Sequence, residues 1–358
     1  VKVEHRCRFM GLRALANAVI SFDNVRIPKE NLIGKEGQGL KIALVTLNTG
    51  RLSIPAGCVG AVKRAVSVCR EWSNEREQWG AAIGKHEAIG HKLADINSTL
   101  FAMEAVAYLA SEMSDRGGYD IRLEAAAAKE WNTVQNWRLI DETMQIRGGR
   151  GYETEHSLRD RGSEPIPVER MMRDSRINTI FEGSSEIMHL FMAREAVDRH
   201  LQVAGSMIDP KKSIGAKIGA LPGILAFYAT WYPSRWLGWG RWPRFGEFGA
   251  LAPHLRFVER NCRKLARQIF HGMVVHGPRL QKKQASLFRL VDVANELLAM
   301  SASISRARAM AVERHPNARS AQRLADLFCR ASRRRIRGLF HALWRNDDVF
   351  QYQISKEM

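Results

Sequence analysis

The sequence predicts a mainly α protein: a bundle of long helices, preceded by the last strands of a β-domain and followed by a second, basic helical domain. Three observations carry this. From residue 36 onwards, apolar residues recur at helical spacing with only short breaks between runs. Short turn-bounded runs of the kind that make strands are confined to residues 1–34. Residues 201–358 hold 27 Lys and Arg against 10 Asp and Glu, a net of +17, while the first 200 residues carry +1 of the total +18.

The elements follow in order. Residues 18–22 and 25–27 flank an Asp23-Asn24 turn, and Pro28 closes the second run. Two strands do not hold a fold alone, so this segment is expected to be the tail of a larger sheet, in a chain that lacks an N-terminal part. Gly37-Gln38-Gly39 leads into an apolar run. A long helix is expected over 52–76, with Val59, Val62, Ala65, Val66, Val68 and Cys69 close to a 3.6 repeat. Residues 76–80 break it. Helices are expected over 85–115 and 121–145, antiparallel because the breaks are short. Gln145-Ile146-Arg147-Gly148-Gly149-Arg150-Gly151-Tyr152 ends the third, and its glycines let the backbone turn tightly or approach a ligand. The expected domains are 1–34, the end of a β-domain; 35–200, the bundle; 201–252, a linker with a Trp/Arg-rich amphipathic segment; and 253–358, with helices near 253–275, 281–314 and 317–344.

With 358 residues, 45% of them hydrophobic, there is ample material for more than one core. Five cysteines without a CxxC pair argue against a disulfide framework or zinc module and for a reducing compartment. There is no HExxH, and no metal site is expected. The longest purely apolar candidate, 221–230, is too short to span a bilayer. The strongly basic second part calls for an anionic partner: a membrane surface, a nucleic acid or an acidic protein.

One carboxylate stands out. Glu182 lies between Ile180-Phe181 and Gly183, just ahead of a helix start at Ser184-Ser185-Glu186. Beside an aromatic it can be partly desolvated, which suits a general base. On its own the segment reads first as a helix-start acid facing water, favoured there by the helix dipole, ahead of the general-base reading.

Three pieces share one bundle: Arg76-x-x-Trp79-Gly80, Gln145-x-x-Gly148-Gly149-x-Gly151-Tyr152, and Arg173-Asp174 followed by Ile180-Phe181-Glu182-Gly183. Together they resemble the C-terminal helical half of the acyl-CoA dehydrogenase family, over roughly residues 9–200. Residues 28–39 resemble the hand-over from that family's middle β-domain. The resemblance implies FAD-dependent α,β-dehydrogenation of fatty acyl-CoA to trans-2-enoyl-CoA, the first step of β-oxidation, with Glu182 as base. It implies FAD contacts at Arg76, Gln145, Ile146, Arg147, Gly148, Gly149, Ser184, Ser185 and Glu186. Substrate contacts are implied at Asn48, Thr49, Gly50, Arg51, Phe181 and Gly183. Some family FAD contacts cross a subunit boundary, which implies a homodimer, and the family passes electrons to an electron-transfer flavoprotein. Trp79 replaces the usual Phe, and residues 155–165 look like an insertion.

Beyond residue 201 the chain resembles the very-long-chain branch, with its extra C-terminal helical domain, which implies a long-chain substrate. Residues 227–245 interleave tryptophans with arginines, and Trp favours the lipid–water boundary. This segment is the expected anchor on an anionic membrane. The expected location is the cytoplasm, at the inner membrane face, or the matrix side of a mitochondrion. Arg333-Arg334-Arg335-Ile336-Arg337 is a second basic cluster. The runner-up reading, a DNA-associated or non-catalytic homologue, rests on the basic domain.

Overall fold

The computed structural model describes every residue except 119, 209–210 and 239–242, together with all side chains in the remainder apart from those of Leu44, Asn48 and Ile208. It divides into two compact units, 1–185 and 186–358.

In the first unit, β1 (Lys2–Arg6) pairs antiparallel with β2 (Ala18–Ser21), from Lys2 opposite Ser21 to Arg6 opposite Ala18, with an irregularity between Val3 and His5. The expected hairpin about Asp23-Asn24 is corrected: residues 25–27 form no strand, and β2 finds its partner upstream. Helix α1 spans Gly39–Glu75, thirteen residues longer at its start than expected. Pro55 lies inside it, where its missing N–H removes one bond of the ladder. A two-residue hairpin follows. β3 (Glu77–Gln78) pairs with β4 (Ala81–Ala82) around Trp79 and Gly80, both with positive φ (49° and 77°), as a type I′ turn requires.

Helices α2 (Glu87–Arg116) and α3 (Arg122–Arg147) complete an up-down-up bundle. Three cross-links fix the antiparallel register of α2 and α3: Lys92 with Glu142, Arg138 with Asp95 at 2.6 Å, and the Asn132 amide donating to the Met103 carbonyl at 3.1 Å. Cys58, Val59, Val62, Ala65, Val68 and Cys69 of α1 are buried against its neighbours, as their spacing predicts. By length and composition α1 would pass for a membrane span, the one such helix among the described residues. Its packing along α3 and α2 gives that apolar character a bundle role.

Short helices α4 (Gly149–Tyr152), α5 (Glu155–Asp160) and α6 (Val168–Arg176) close the unit. The residues read as an insertion thus fold as α5 and a loop. The Thr154 hydroxyl caps α5 by accepting from the Ser157 N–H, and Arg161 pairs with Glu153 through two bonds of 2.8 and 2.7 Å. That pairing lowers the Glu153 carboxyl to about 2. The Arg173-Asp174 dipeptide latches the N-terminal segment onto α6. Arg173 donates to the Met10 carbonyl at 2.9 Å, and Asp174 accepts from the Leu12 N–H at 2.6 Å. A Cβ on Gly11 would lie 2.3 Å from the Arg173 carbonyl oxygen, so only glycine permits this approach.

The second unit takes in α7 (Ser185–Ile208) from Glu186 onwards, α8 (Ile214–Leu237), α9 (Ala252–His276), α10 (Gln284–Val312), α11 (Ala318–Ala342) and α12 (Asp348–Glu357). The segment expected as a linker holds a 24-residue helix, α8. Trp231 of α8 does not face outward as an anchor would. Its ring meets His200 at 4.7 Å and Phe270 at 5.6 Å, inside an aromatic cluster. Trp236 is half-exposed but carries the Arg267 guanidinium at 3.8 Å from its centroid. Trp239, Arg241 and Trp242 lie outside the described residues.

The arginine run of α11 is likewise not one solvated face. Arg335 makes a two-bond ion pair with the buried Glu296, at 2.9 and 2.8 Å, while Arg333 and Arg337 lie over the Phe257 ring.

Candidate functional site

Helix α6 runs into a single 3₁₀ turn over residues 177–179, and the chain then reverses at Glu182 and Gly183 before α7. Both residues are left-handed, with φ of 52° and 99°. Glycine adopts that conformation freely; glutamate does so at a cost, and such strain persists only where neighbours over-determine it.

Two neighbours do so here. One is Gly50 on α1: a Cβ built there would lie 1.8 Å from Glu182 Oε2, so the carboxylate occupies the space that a side chain at position 50 would fill. The other is Lys129 on α3. Its ammonium donates to the Gly183 carbonyl at 2.6 Å, and the residue is fully buried.

Glu182 is half-buried, its Oε2 is sealed from solvent, and that oxygen accepts no hydrogen bond. The carboxylate is therefore held without being saturated. Arg51, one residue on from Gly50, interacts electrostatically with it; burial pulls the Arg51 guanidinium's pKa down and Glu182 opposes this. Lys129 is drawn down mainly by its own burial, opposed by Glu130, Cys58 and Glu182. Burial pushes the Cys58 thiol up to about 12, so it is not a nucleophile at neutral pH.

Phe181 and Ile180 lead directly into an apolar cleft of about 380 Å³, closed on its far side by Phe9, Met10 and Leu15. Thr49 is exposed on α1, and the Asn48 side chain lies outside the described residues. The four residues 48–51 belong to a continuous helix rather than to a loop ahead of one.

The other expected contacts sit at the opposite end of the bundle. Because Gly50 and Lys129 meet at the Glu182 turn while Trp72 meets Arg147 at 5.0 Å, α1 and α3 run parallel. Lys129 and Arg147 are eighteen residues apart on one helix, about 27 Å along its axis. Arg76 is exposed just beyond the end of α1, and Gln145 is exposed on the last turn of α3. A Cβ on Gly148 or Gly149 would meet nothing within 4 Å, so this backbone is open to close approach. Ile146 and Arg147 instead point inward: both are buried, and Arg147 stacks on Trp72. Of these two residues, only the backbone would be available to a ligand at that turn. Arg150, on α4, covers Trp72 at 5.1 Å. Ser184 and Ser185 stand at the Glu182 end, and Glu186 opens the second unit.

The expected FAD contacts therefore form two clusters, one at each end of α3. Each is chemically suited to part of a dinucleotide: a cationic and open-backbone cluster at Arg76 and Gln145 to Gly149, and a helix start at Ser184 to Glu186. Lys129 went unread in the sequence, because a lysine following four alanines carries no sign of which helix face is buried.

Comparison with known proteins follows the same division. Residues 37–197 match the family described as acyl-CoA dehydrogenase, C-terminal domain, and residues 250–358 match the ACAD9/ACADV C-terminal domain. The chain is 50% identical to the probable acyl-CoA dehydrogenase FadE10 of Mycobacterium tuberculosis, over 100% of its own length and 55% of that protein. It is 31% identical to the very long-chain specific acyl-CoA dehydrogenase of Homo sapiens, over 97% of its length and 51% of that protein. The chain thus spans about half the length of the curated relatives it matches. An acyl-CoA dehydrogenase structure from Bacillus anthracis superposes with a TM-score of 0.73 at 23% identity, covering 99% of this chain and 59% of that one, which shows the fold. A probable acyl-CoA dehydrogenase from Mycobacterium abscessus superposes over 54% of this chain and 49% of its own, at 30% identity and a TM-score of 0.50. The chain belongs to the acyl-CoA dehydrogenase family, as its C-terminal helical domain continued by the C-terminal domain of the ACAD9/ACADV branch.

Proposed function

We propose that the protein to which this chain belongs dehydrogenates a fatty acyl-CoA across Cα–Cβ, with Glu182 as the base. One observation carries the reading: a carboxylate on a left-handed turn, pressed onto a glycine, with an oxygen that is sealed from solvent and accepts no hydrogen bond. An α-C–H beside a thioester is weakly acidic, so the base must be fixed and kept from water. Glu182 Oε2 takes the α-proton, the Cα–H electrons become the new double bond, and the β-hydrogen leaves with its electron pair. FAD, when bound, accepts that hydride. The FAD-complexed Bacillus anthracis enzyme shares this fold, and FAD suits the two clusters described above. The apolar cleft beside Phe181 suits an acyl chain. A long-chain substrate and an electron-transfer flavoprotein as acceptor are the partners we infer from the branch.

The two clusters lie about 27 Å apart along α3. Within one copy they do not converge on a common point, so we infer a homodimer in which each FAD meets the Glu182 end of one copy and the Arg76 end of its partner.

We further propose that the protein binds an anionic membrane surface peripherally. Support comes from α8, though not from its tryptophans. Ile214, Ile218, Leu221 and Leu225 recur at helical spacing and are all exposed, with Lys212 and Lys217 at the same end. Flotation with anionic liposomes is expected to be lost when Ile218 and Leu225 become Glu. Unchanged flotation of that double variant would remove α8 as the anchor.

The test of the activity uses the full-length, FAD-loaded protein. Glu182→Gln should bind FAD and acyl-CoA as before while turnover falls about 10²- to 10⁴-fold, the usual contribution of a positioned base. Turnover near the wild-type rate would remove Glu182 from the reaction.

A further inference from the structure

We propose that Lys129 is a positioning residue for the base: its ammonium holds the Gly183 carbonyl and so fixes the left-handed turn that carries Glu182. This rests on the reading of Glu182 as the base.

Lys129 is the one lysine among the described residues that is fully buried. Removing an ammonium from water is costly, and a residue needed only to fill space between α1 and α3 would be apolar. What Lys129 gains in return is not local. Its hydrogen bond spans 54 residues of sequence, from the rigid middle helix of the bundle to the turn ahead of α7. The acceptor matters too. The ammonium bonds the backbone carbonyl of Gly183, not the neighbouring carboxylate, so Glu182 Oε2 keeps its lone pairs for a substrate proton.

The geometry explains why such a hold is needed. Glu182 is in a conformation that L-residues disfavour, and the turn would relax if released. The carboxylate also has little room to move: it already occupies the place of the missing Cβ at Gly50. A shift of about an ångström in the turn would lift it off α1, and misplacement on that scale costs an enzyme large factors in rate. The titratable groups facing Lys129 come from every side of the site: Glu130 on its own helix, the neutral Cys58 thiol and the Arg51 guanidinium on α1, and Glu182 on the turn. Arg51 is a second cation, so the ammonium is retained against like charge as well as against burial. The only bond drawn from it, among the described residues, is the one to Gly183.

The experiment again uses the full-length, FAD-loaded enzyme, with Lys129→Met, Lys129→Gln, Lys129→Ala and Glu182→Gln side by side. Three quantities are read: kcat and KM on an acyl-CoA series, amide hydrogen exchange of peptides covering 177–187, and recovery of Lys129→Ala by added methyl-, ethyl- and propylammonium. A hydrogen bond to a charged group is worth about one to two decades in an equilibrium. Lys129→Met should therefore lower kcat at least tenfold with KM changed by less than about threefold. Exchange over 177–187 should quicken by a similar factor. Propylammonium should restore part of the Lys129→Ala rate, and methylammonium less.

If Lys129→Met does not fold, Lys129→Gln keeps an N–H donor without the charge, and the amine series decides. If Glu182→Gln is inactive while Lys129→Met keeps kcat within twofold and exchanges as the wild type does, the positioning role is wrong and the base stands. If Glu182→Gln turns over normally, the base reading falls. Exchange at 177–187 in Lys129→Met then still shows whether the lysine holds the turn.

Discussion

At Gly50 a hydrogen in place of a methyl group decides where Glu182 can lay its carboxylate. Gly50→Ala separates two effects that usually run together. Gly50 lies within α1, where Ala is favoured over Gly by roughly 0.5–1 kcal/mol. The variant should therefore be no less stable in urea than the wild type. Its turnover should nevertheless fall by tenfold or more, because the new Cβ takes the place of Oε2. A variant that is both stable and fully active would show that the carboxylate need not rest on α1. Glu182, Gly50 and Arg51 were legible in the sequence because their types recur in a recognisable order. Lys129 was not, since its importance comes from a bond to a carbonyl 54 residues away. The inward course of Ile146 and Arg147 was hidden for a related reason: a glycine-rich motif marks where the backbone turns, while the stacking partner Trp72 sits on another helix.

Helix α3 illustrates what periodicity reveals and what it leaves out. Its limits lie within two residues of those expected, yet its core face is unusually polar. Lys129, Asn132, Thr133, Asn136 and Thr143 are all fully buried. Neither side-chain polar atom of Asn136 has a hydrogen-bond partner. Burying an unmet amide costs about 1–3 kcal/mol. Asn136→Leu, of similar size, should raise the urea midpoint at unchanged slope; a fall would show that the amide is satisfied in solution. On α11 the opposite holds, because a residue read as part of a charge run is a structural pair. Arg335→Met leaves Glu296 buried without its guanidinium, at a cost of about 2 kcal/mol, between that of exposed and buried pairs. That loss would again be read from the urea midpoint. Helix α12 hangs on a similar bond. Arg289 holds Asp348 through contacts of 2.7 and 2.6 Å and lowers its carboxyl pKa. A lowered folded-state pKa stabilises above the unfolded value, about 3.9, and the benefit is lost as pH falls through the folded value. Amide protection in α12 should accordingly drop below about pH 4 before that of α10 does. The misplaced N-terminal hairpin belongs at this scale too: strand pairing across a long loop leaves no local mark, whereas the Asp23-Asn24 turn leaves one that leads elsewhere.

Across the whole molecule, charge is sorted by unit, and this much the composition predicted. The second unit carries the positive excess, and α9, α10 and α11 were expected near the limits observed, whereas α8 and α12 were not. What composition could not show was that Trp231 joins an interior cluster while Trp236 stays at the surface, leaving the exposed stripe to aliphatic residues earlier in α8. Liposome binding through that stripe and its lysines should weaken as salt rises, yet retain an apolar part that salt does not remove.

The hairpin between α1 and α2 gives the molecule an optical probe of its own. Trp79 sits at the hairpin tip with 92% of its surface open and only the His86 ring at its edge, at 5.8 Å. Trp236 and Trp344, the other tryptophans exposed to this degree among the described residues, reach 54% and 50%. Red-edge emission should thus come largely from Trp79 and be readily quenched by acrylamide. Trp79→Phe should remove most of that red-edge emission and its acrylamide quenching, read by comparing the emission spectra of the variant and the wild type.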